Sequence, residues 1–464
     1  MNIILKNTSR ALSPNVCLIL AVFSLLFGVL DPTIGIIGFY LVGIYCIFQC
    51  RLQYLPSLFI CHITPNSIEI VTSYLEMTRL ELIRSLSIFE SVIPPFVEVS
   101  QIIFCFYVFI SLLAKPLRFP NSRFRLLFLL WLVCVFGGVI NTIFSLLDGN
   151  EMWTRGLRAV LTVGCCFYGL LLAQRSKIEE DFRSLSIGLW IVLVLGLLVA
   201  LHVFWSHMLF WLGSIASLLM AGGIRYKNSK FLRFAALAYL PATIGSSLTI
   251  MAISVGTFLG VLFSVSKRKV HRIFVRKSIV FLLIIGPFIS LGAGALSDSF
   301  GFGDIEMTGS EQSISDRAFF KFAGDRLPLW ASAYSQIVEG SFWFPTSGRT
   351  LQVVHFSKAD EWNYGAHNSY LEILRNNGLF FGAILLFIII NFLIMTIRNR
   401  TNSSVAYSLF GVSLCITAGF GLLLGDFAVE PTVGPIFWTS VGVVIWRLQQ
   451  LEDFSLNTTS IRYS

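Results

Sequence analysis

The chain has 464 residues, of which 55% are hydrophobic and 13% are charged, and its net charge at neutral pH is +9. An ordinary soluble domain carries about 25% charged residues, so this composition excludes a water-soluble globular protein. The basic residues lie in short clusters between apolar runs rather than on one soluble face, which argues against nucleic acid as a partner. We therefore expect an all-α membrane protein.

The apolar runs predict the membrane spans. A helix needs about 20 apolar residues, or about 17 at the short end, to cross a hydrocarbon core of roughly 30 Å, and by this measure we expect about 12 to 14 transmembrane helices. The runs lie near 12–30, 33–50, 52–68, 99–114, 124–147, 157–173, 184–204, 208–224, 231–245, 247–266, 278–295, 379–397, 404–425 and 432–446. One of the two short runs within 231–266 either crosses the membrane or re-enters it.

The amino end and the cysteines exclude other classes. Lys6 and Arg10 precede the first apolar run, as in a secretory signal, but no small-residue cleavage site comes before Asp31, so we expect a retained first helix. The segment from Glu76 to Glu90 is rich in Glu and Arg and is expected to be an interfacial amphipathic helix. All nine cysteines lie in or beside apolar runs, which removes a disulfide framework or cysteine-based zinc site from the hydrophilic loop.

Charge sets the orientation and the domain organisation. Short loops rich in Lys and Arg stay in the cytoplasm, which places both termini there. Residues 1–295 then form an N-terminal multi-span region, 296–376 a large periplasmic loop, and 377–464 a C-terminal transmembrane region. The loop holds ten acidic and six basic residues in a chain that is otherwise basic, and loops of this length usually serve as lids or sites.

Within the loop, the pattern of Leu327–Val338 predicts an amphipathic helix packed against the membrane domain, with Trp330 as an interfacial anchor. The string GAHNSYLEILRNNG at 365–378 then runs directly into an apolar span. His367 and three apolar residues of the string recur at helical spacing, which predicts a short helix feeding that span. A histidine accepts a proton from a hydroxyl near neutral pH, and Asn368 would orient either the ring or a sugar. The alternative is a helix-capping cluster with the histidine as polar filler.

The run from His367 to Gly378, followed by Gly382 and an apolar helix, resembles the His-Asn-x-x-Leu, spacer, Gly motif of the O-antigen polymerase and O-antigen ligase superfamily. Its members are multi-span membrane glycosyltransferases with a large periplasmic loop in the same relative place. Upstream, 325–330 is similar to the family's loop element in which an Arg precedes a Trp, and 342–348 stands where a turn with Pro and Gly is usual. The resemblance covers about the second half of the chain.

The resemblance implies that an acceptor-sugar hydroxyl attacks the anomeric carbon of a glycan carried on undecaprenyl pyrophosphate, with inversion. His367 is then the candidate base, and Arg326, Arg349, Arg155 and Arg158 are the candidates for binding the pyrophosphate. Arginine suits this role because its planar fork donates paired hydrogen bonds to phosphate oxygens and stays charged. The alternative for each arginine is a contact with lipid headgroups.

One departure from the family affects this assignment. Members often carry an Arg after a Ser at the start of a central span, and the comparable place, 246–249, lacks it. The pyrophosphate contacts must then come from the other arginines. The implied chemistry needs no cofactor, nucleotide sugar or metal ion, and the loop offers no close carboxylate pair, so we expect no metal site.

Several functions remain open at this stage. The span count favours a polymerase of repeat units for O-antigen, capsule or exopolysaccharide, and the alternative is a ligase that transfers the glycan to lipid A core. A flippase or other transporter would usually carry a charged residue in mid-membrane, and a non-enzymatic anchor or receptor leaves the motif unexplained. The expected partners are the lipid-linked glycan, an acceptor glycan, membrane lipids, a flippase and a chain-length regulator, in the bacterial inner membrane.

Overall fold

The computed structural model describes residues 12–30, 35, 37–61, 96–119, 121–147, 155–181, 184–185, 248–265, 269–300, 314–345, 368–397, 405–425 and 434–461. Within these ranges the regular secondary structure is helical and no strand occurs, which confirms the all-α expectation. The spans expected within 186–245 and the amphipathic segment at 76–90 lie outside the described residues. Residues 301–313 and 346–367 of the loop lie outside them as well.

The main helices follow the predicted apolar runs. Their bounds are α1 (Pro14–Leu30), α2 (Ile44–Gln49), α3 (Phe96–Ala114), α4 (Ser122–Leu147), α5 (Arg155–Gln174), α6 (Leu248–Val265), α7 (Lys269–Ser299), α8 (Ile314–Glu339), α9 (Ser369–Thr396), α10 (Val405–Leu424) and α11 (Gly434–Ile461). A π-helical turn, Phe39–Gly43, leads into α2, and a 3-10 turn, Leu52–Tyr54, follows it. Helices form here because a chain in hydrocarbon must satisfy its backbone polar groups internally.

Five helices among the described residues are long and apolar enough to cross a membrane, judged by length and composition. They are Ser122–Phe144, Arg155–Gln174, Val270–Ser299, Ser369–Thr396 and Val405–Leu423. The chain is therefore a helical membrane protein.

Helix α5 lies at the centre of the bundle. It packs against α3, α4, α9 and α11, and 94% of its apolar 18-residue stretch is buried inside the protein. Its backbone contacts that of α11 directly, because Gly169 faces the Thr439 carbonyl and Gly442 faces the Cys166 carbonyl with no room for a β-carbon at either glycine. The core of the bundle therefore fixes the helix that carries Arg155 and Arg158.

The loop contains α8, a helix that packs against α7 and α9. The amphipathic helix predicted at Leu327–Val338 lies within α8 and is confirmed. The interpretation of Trp330 as an interfacial anchor is wrong: its side chain is 3% exposed, whereas an anchor would leave its ring open to the headgroups. Gly294 of α7 allows this close packing, because a β-carbon there would lie 3.1 Å from the Trp330 carbonyl oxygen.

At the end of α5 predicted to be cytoplasmic, a buried ion pair ties the segment after α5 to α10 and α11. Arg447 of α11 donates to both carboxylate oxygens of Asp181 at 2.6 and 2.9 Å, and the Tyr407 hydroxyl of α10 donates to the same carboxylate at 2.7 Å. Burial raises the pKa of Asp181, and the Arg447 and Tyr407 contacts counteract part of that shift. The segment after α5 is thereby held against α10 and α11.

Candidate functional site

Helix α9 bends sharply at Gly378. This residue has φ 73° and ψ 167°, a conformation that is essentially restricted to glycine. A β-carbon at Gly382 would lie 3.0 Å from the Leu374 Cα, so the segments before and after the bend pack against each other. We call residues 369–377 the motif helix. The prediction of a short helix feeding the next span is confirmed.

Asn368 caps the start of the motif helix. Its Oδ1 accepts hydrogen bonds from the amides of Tyr370 and Leu371 at 3.0 and 3.2 Å, and its Nδ2 donates to Ser290 Oγ of α7 at 2.9 Å. The side chain is fully buried. These contacts show that Asn368 caps the helix, as the alternative interpretation of the sequence predicted. A contact of Asn368 with a glycan stays a prediction. His367 and Arg349 lie outside the described residues.

The other end of the motif helix contacts α4 and α5. The Asn376 carbonyl accepts a hydrogen bond from Asn141 Nδ2 of α4 at 2.9 Å. A β-carbon at Gly156 would lie 2.5 Å from that same carbonyl oxygen, so the first turn of α5 lies directly against the motif helix. Arg155 and Arg158 flank this contact, the first half-buried and the second 8% exposed.

The first turn of α5 contains two arginines, Arg155 and Arg158. The N-terminus of a helix carries a partial positive charge, and the first turn of α5 contains no acidic residue to offset it. The guanidinium groups of Arg155 and Arg158 add to that charge in a largely buried setting. Phosphate groups bind readily at such helix ends, because the open amides and the helix dipole both favour an anion.

Helix α8 runs beside the motif helix in the same direction. The part of α8 that pairs with the motif helix starts near α7, where Trp330 packs against Gly294, and the segment after α8 lies near α4, where the Phe344 ring lies 5.8 Å from that of Phe144. The motif helix likewise runs from Ser290 of α7 to Asn141 of α4. Arg326 lies on α8 one turn before Trp330, on the side of the helix that also carries Ala333, and is half-buried. Arg326 is therefore at the same end of this helix pair as Asn368.

The segment 341–345 follows α8 and covers the bend. The Phe342 carbonyl accepts a hydrogen bond from the Phe380 amide at 2.9 Å, which satisfies one of the open amides after the bend. The Trp343 ring centroid lies 4.5 Å from that of Phe380. This non-helical segment occupies part of the place, 342–348, where the sequence predicts a turn.

A buried polar cluster that was not predicted from the sequence lies beside these residues. Glu372 and Arg375 form an ion pair at 2.8 Å inside the motif helix, and Arg375 also donates to Gln336 of α8. The signal was present, since a Glu and an Arg at i, i+3 spacing stand in a helix that enters an apolar span. Among the described residues, no group of His, Cys, Asp and Glu is arranged to hold a metal ion.

The described helices and the buried polar groups between them define an all-α membrane protein. Comparison of the chain with protein-family models, with curated proteins and with solved structures found no significant match.

Proposed function

We propose that this chain is a metal-independent membrane glycosyltransferase that polymerises undecaprenyl-pyrophosphate-linked repeat units at the periplasmic face of the bacterial inner membrane. The observation that carries the proposal is the buried motif helix. It is capped by Asn368, the residue after the candidate base His367, and it ends against the arginine-bearing turn of α5. The eight residue-to-residue steps from Asn368 to Asn376 span about 12 Å at the helical rise.

The positive turn of α5 supports a site for the lipid diphosphate. Arg155 and Arg158 both lie in the first turn of α5, so an anion bound at this helix end would be close to two guanidinium groups as well as to the open amides. Arg326 on α8 supplies a third positive charge near the other end of the motif helix. Arginines placed along a diphosphate stabilise the negative charge that grows on it as the sugar departs.

In the proposed reaction, an acceptor hydroxyl oxygen bonds to the anomeric carbon while the bond from that carbon to the diphosphate oxygen breaks. The hydroxyl proton passes to His367, and the bonding electrons leave with the diphosphate, so the configuration inverts. The base has to be neutral to accept the proton, a state that histidine reaches near neutral pH.

Complementation of a deletion strain tests the proposal. Wild-type protein should restore a ladder of glycan chains, whereas His367→Ala, Arg326→Ala and Arg158→Ala should leave only products with a single repeat unit, at normal protein levels. The matched controls are His355→Ala and Arg175→Ala. His355 is the other histidine of the loop, and Arg175 is an exposed arginine that follows the last residue of α5, at the end opposite to Arg155. Both controls should retain the ladder.

The deletion strain itself distinguishes the functions. A single-repeat product indicates a polymerase, and long lipid-linked chains that are not transferred indicate the ligase. Unchanged glycan in the deletion strain, or a full ladder from the His367→Ala protein, would contradict the proposal.

A further inference from the structure

A chain of buried hydrogen bonds begins between the loop helix α8 and the motif helix. Gln336 Oε1 accepts from Arg375 Nη1 at 3.1 Å, and Arg375 Nη2 donates to both carboxylate oxygens of Glu372 at 2.8 Å. All three side chains are at most 9% exposed. Gln336 lies on α8 and Arg375 lies on the motif helix, so their hydrogen bond holds the loop helix in a fixed register against the motif helix.

The chain continues across the motif helix to the membrane helices. Asn376 Nδ2 donates to Glu372 Oε2 at 2.6 Å, and the Asn376 carbonyl in turn accepts from Asn141 of α4 at 2.9 Å. The same carbonyl abuts Gly156 in the first turn of α5. A series of hydrogen bonds therefore links α8 through the motif helix to α4. A close backbone approach at Gly156, rather than a hydrogen bond, then places the turn that carries Arg155 and Arg158 against the same carbonyl.

Stability alone does not account for this arrangement. A buried ion pair is weak evidence for stability, because apolar side chains of similar volume often stabilise a core equally well or better. Hydrogen bonds differ from apolar contacts in that they depend on direction and distance. They therefore specify one register between two helices where apolar packing tolerates several.

We propose that the series Gln336–Arg375–Glu372–Asn376–Asn141 is a positioning device that fixes the loop arginine, Arg326, relative to the arginines of α5. Arg375 is its central positioning residue, since it contacts both α8 and the rest of the motif helix. This inference rests on the proposed function, in which these arginines hold one diphosphate. Loss of the Gln336 contact then displaces Arg326, although none of the five residues touches the reacting atoms.

The test compares three variants of the full-length protein in detergent, with undecaprenyl-pyrophosphate-linked oligosaccharide as substrate. Gln336→Met keeps the side-chain volume but removes the acceptor, so kcat should fall by about tenfold or more with little change in KM, since misplacement by about 1 Å costs up to about a hundredfold. Gln336→Glu keeps an acceptor for Arg375 and should recover most of the activity. Ser335→Ala is the matched control, because its hydroxyl bonds only within α8, to Glu339, and it should behave as wild type.

Hydrogen exchange supplies a readout that does not depend on activity. In Gln336→Met, amides of 327–339 should exchange about tenfold faster, while those of 443–447 in α11 keep the wild-type rate. Unchanged exchange in 327–339, equal acceleration in both segments, or wild-type kcat in Gln336→Met would each overturn the inference and leave the proposed function standing. An inactive wild-type protein would instead reject the proposed function, whatever the exchange shows.

Discussion

Asn368 Nδ2 donates a hydrogen bond to Ser290 Oγ at 2.9 Å, and this contact joins the N-cap residue of the motif helix to α7. Ser290 Oγ itself donates to the Gly286 carbonyl at 2.9 Å, so its single proton is engaged and it accepts from Asn368. Position 368 therefore requires a short side chain with a donor for Ser290 and an acceptor for the helix amides. Asparagine meets both requirements.

Substitutions at Asn368 should separate these two functions. Asn368→Ser keeps a helix cap and loses only the contact with Ser290. Asn368→Asp also keeps the cap, but it places a charged carboxylate oxygen, which can only accept, against Ser290 Oγ, which is already an acceptor at this contact. We expect the apparent melting temperature in detergent to fall in the order wild type, Asn368→Ser, Asn368→Asp. An aspartate variant as stable as wild type would show that Ser290 reorients to donate, contrary to the contacts described.

Gly378 should tolerate no side chain. In Gly378→Ala the β-carbon would lie 2.9 Å from the Trp343 carbonyl oxygen, and the backbone conformation itself costs about 1–3 kcal/mol for a residue other than glycine. We expect a clear loss of thermal stability and of glycan polymerisation. Gly292→Ala is the matched control, since nothing lies within 4 Å of its β-carbon position, and it should be as stable as wild type or slightly more so. Equal effects from the two changes would contradict the bend as described.

Removing one partner of the ion pair between Asp181 and Arg447 should destabilise the protein more than removing both. Either Asp181→Leu or Arg447→Met leaves a buried charge without its partner, at a cost of about 3–5 kcal/mol, whereas the double variant removes both charges. We expect each single variant to melt well below wild type and the double variant to recover part of the loss. Glu180→Gln, at an exposed hydrogen bond to Gln53, should change stability by no more than about 0.5 kcal/mol. Additive losses in the double variant would count against the pairing.

The position of the loop can be tested by chemical labelling. A cysteine introduced at Asp360 should react with a membrane-impermeant thiol reagent in intact spheroplasts, because we expect the loop outside the cytoplasm. The wild-type protein is the control. Its labelling should be low, because the nine native cysteines are all buried. Labelling only after lysis would reverse the orientation.

The sequence predicted much of the fold because hydrophobic length alone decides which segments form membrane helices. It also predicted the helix at 327–338 and the short helix after His367, whose apolar periodicity is local. It did not predict the burial of Trp330, because the close approach of Gly294 is a tertiary contact between segments that the pattern treats separately. The contact of Arg375 with Gln336 was not predicted for the same reason, since Gln336 lies on another helix, whereas the Glu372–Arg375 pair has a local i, i+3 signal that was overlooked.

The close backbone contact between α5 and α11 has a consequence for the order of folding. During translation, α5 enters the membrane long before α11 is synthesised, so the surface around Gly169 initially faces lipid or other helices. Only the later arrival of Gly442 encloses it. A nascent chain that stops before α11 therefore leaves the Gly169 end of α5 open. The turn that carries Arg155 and Arg158 also reaches its final surroundings late in biogenesis, because the motif helix that it contacts belongs to α9.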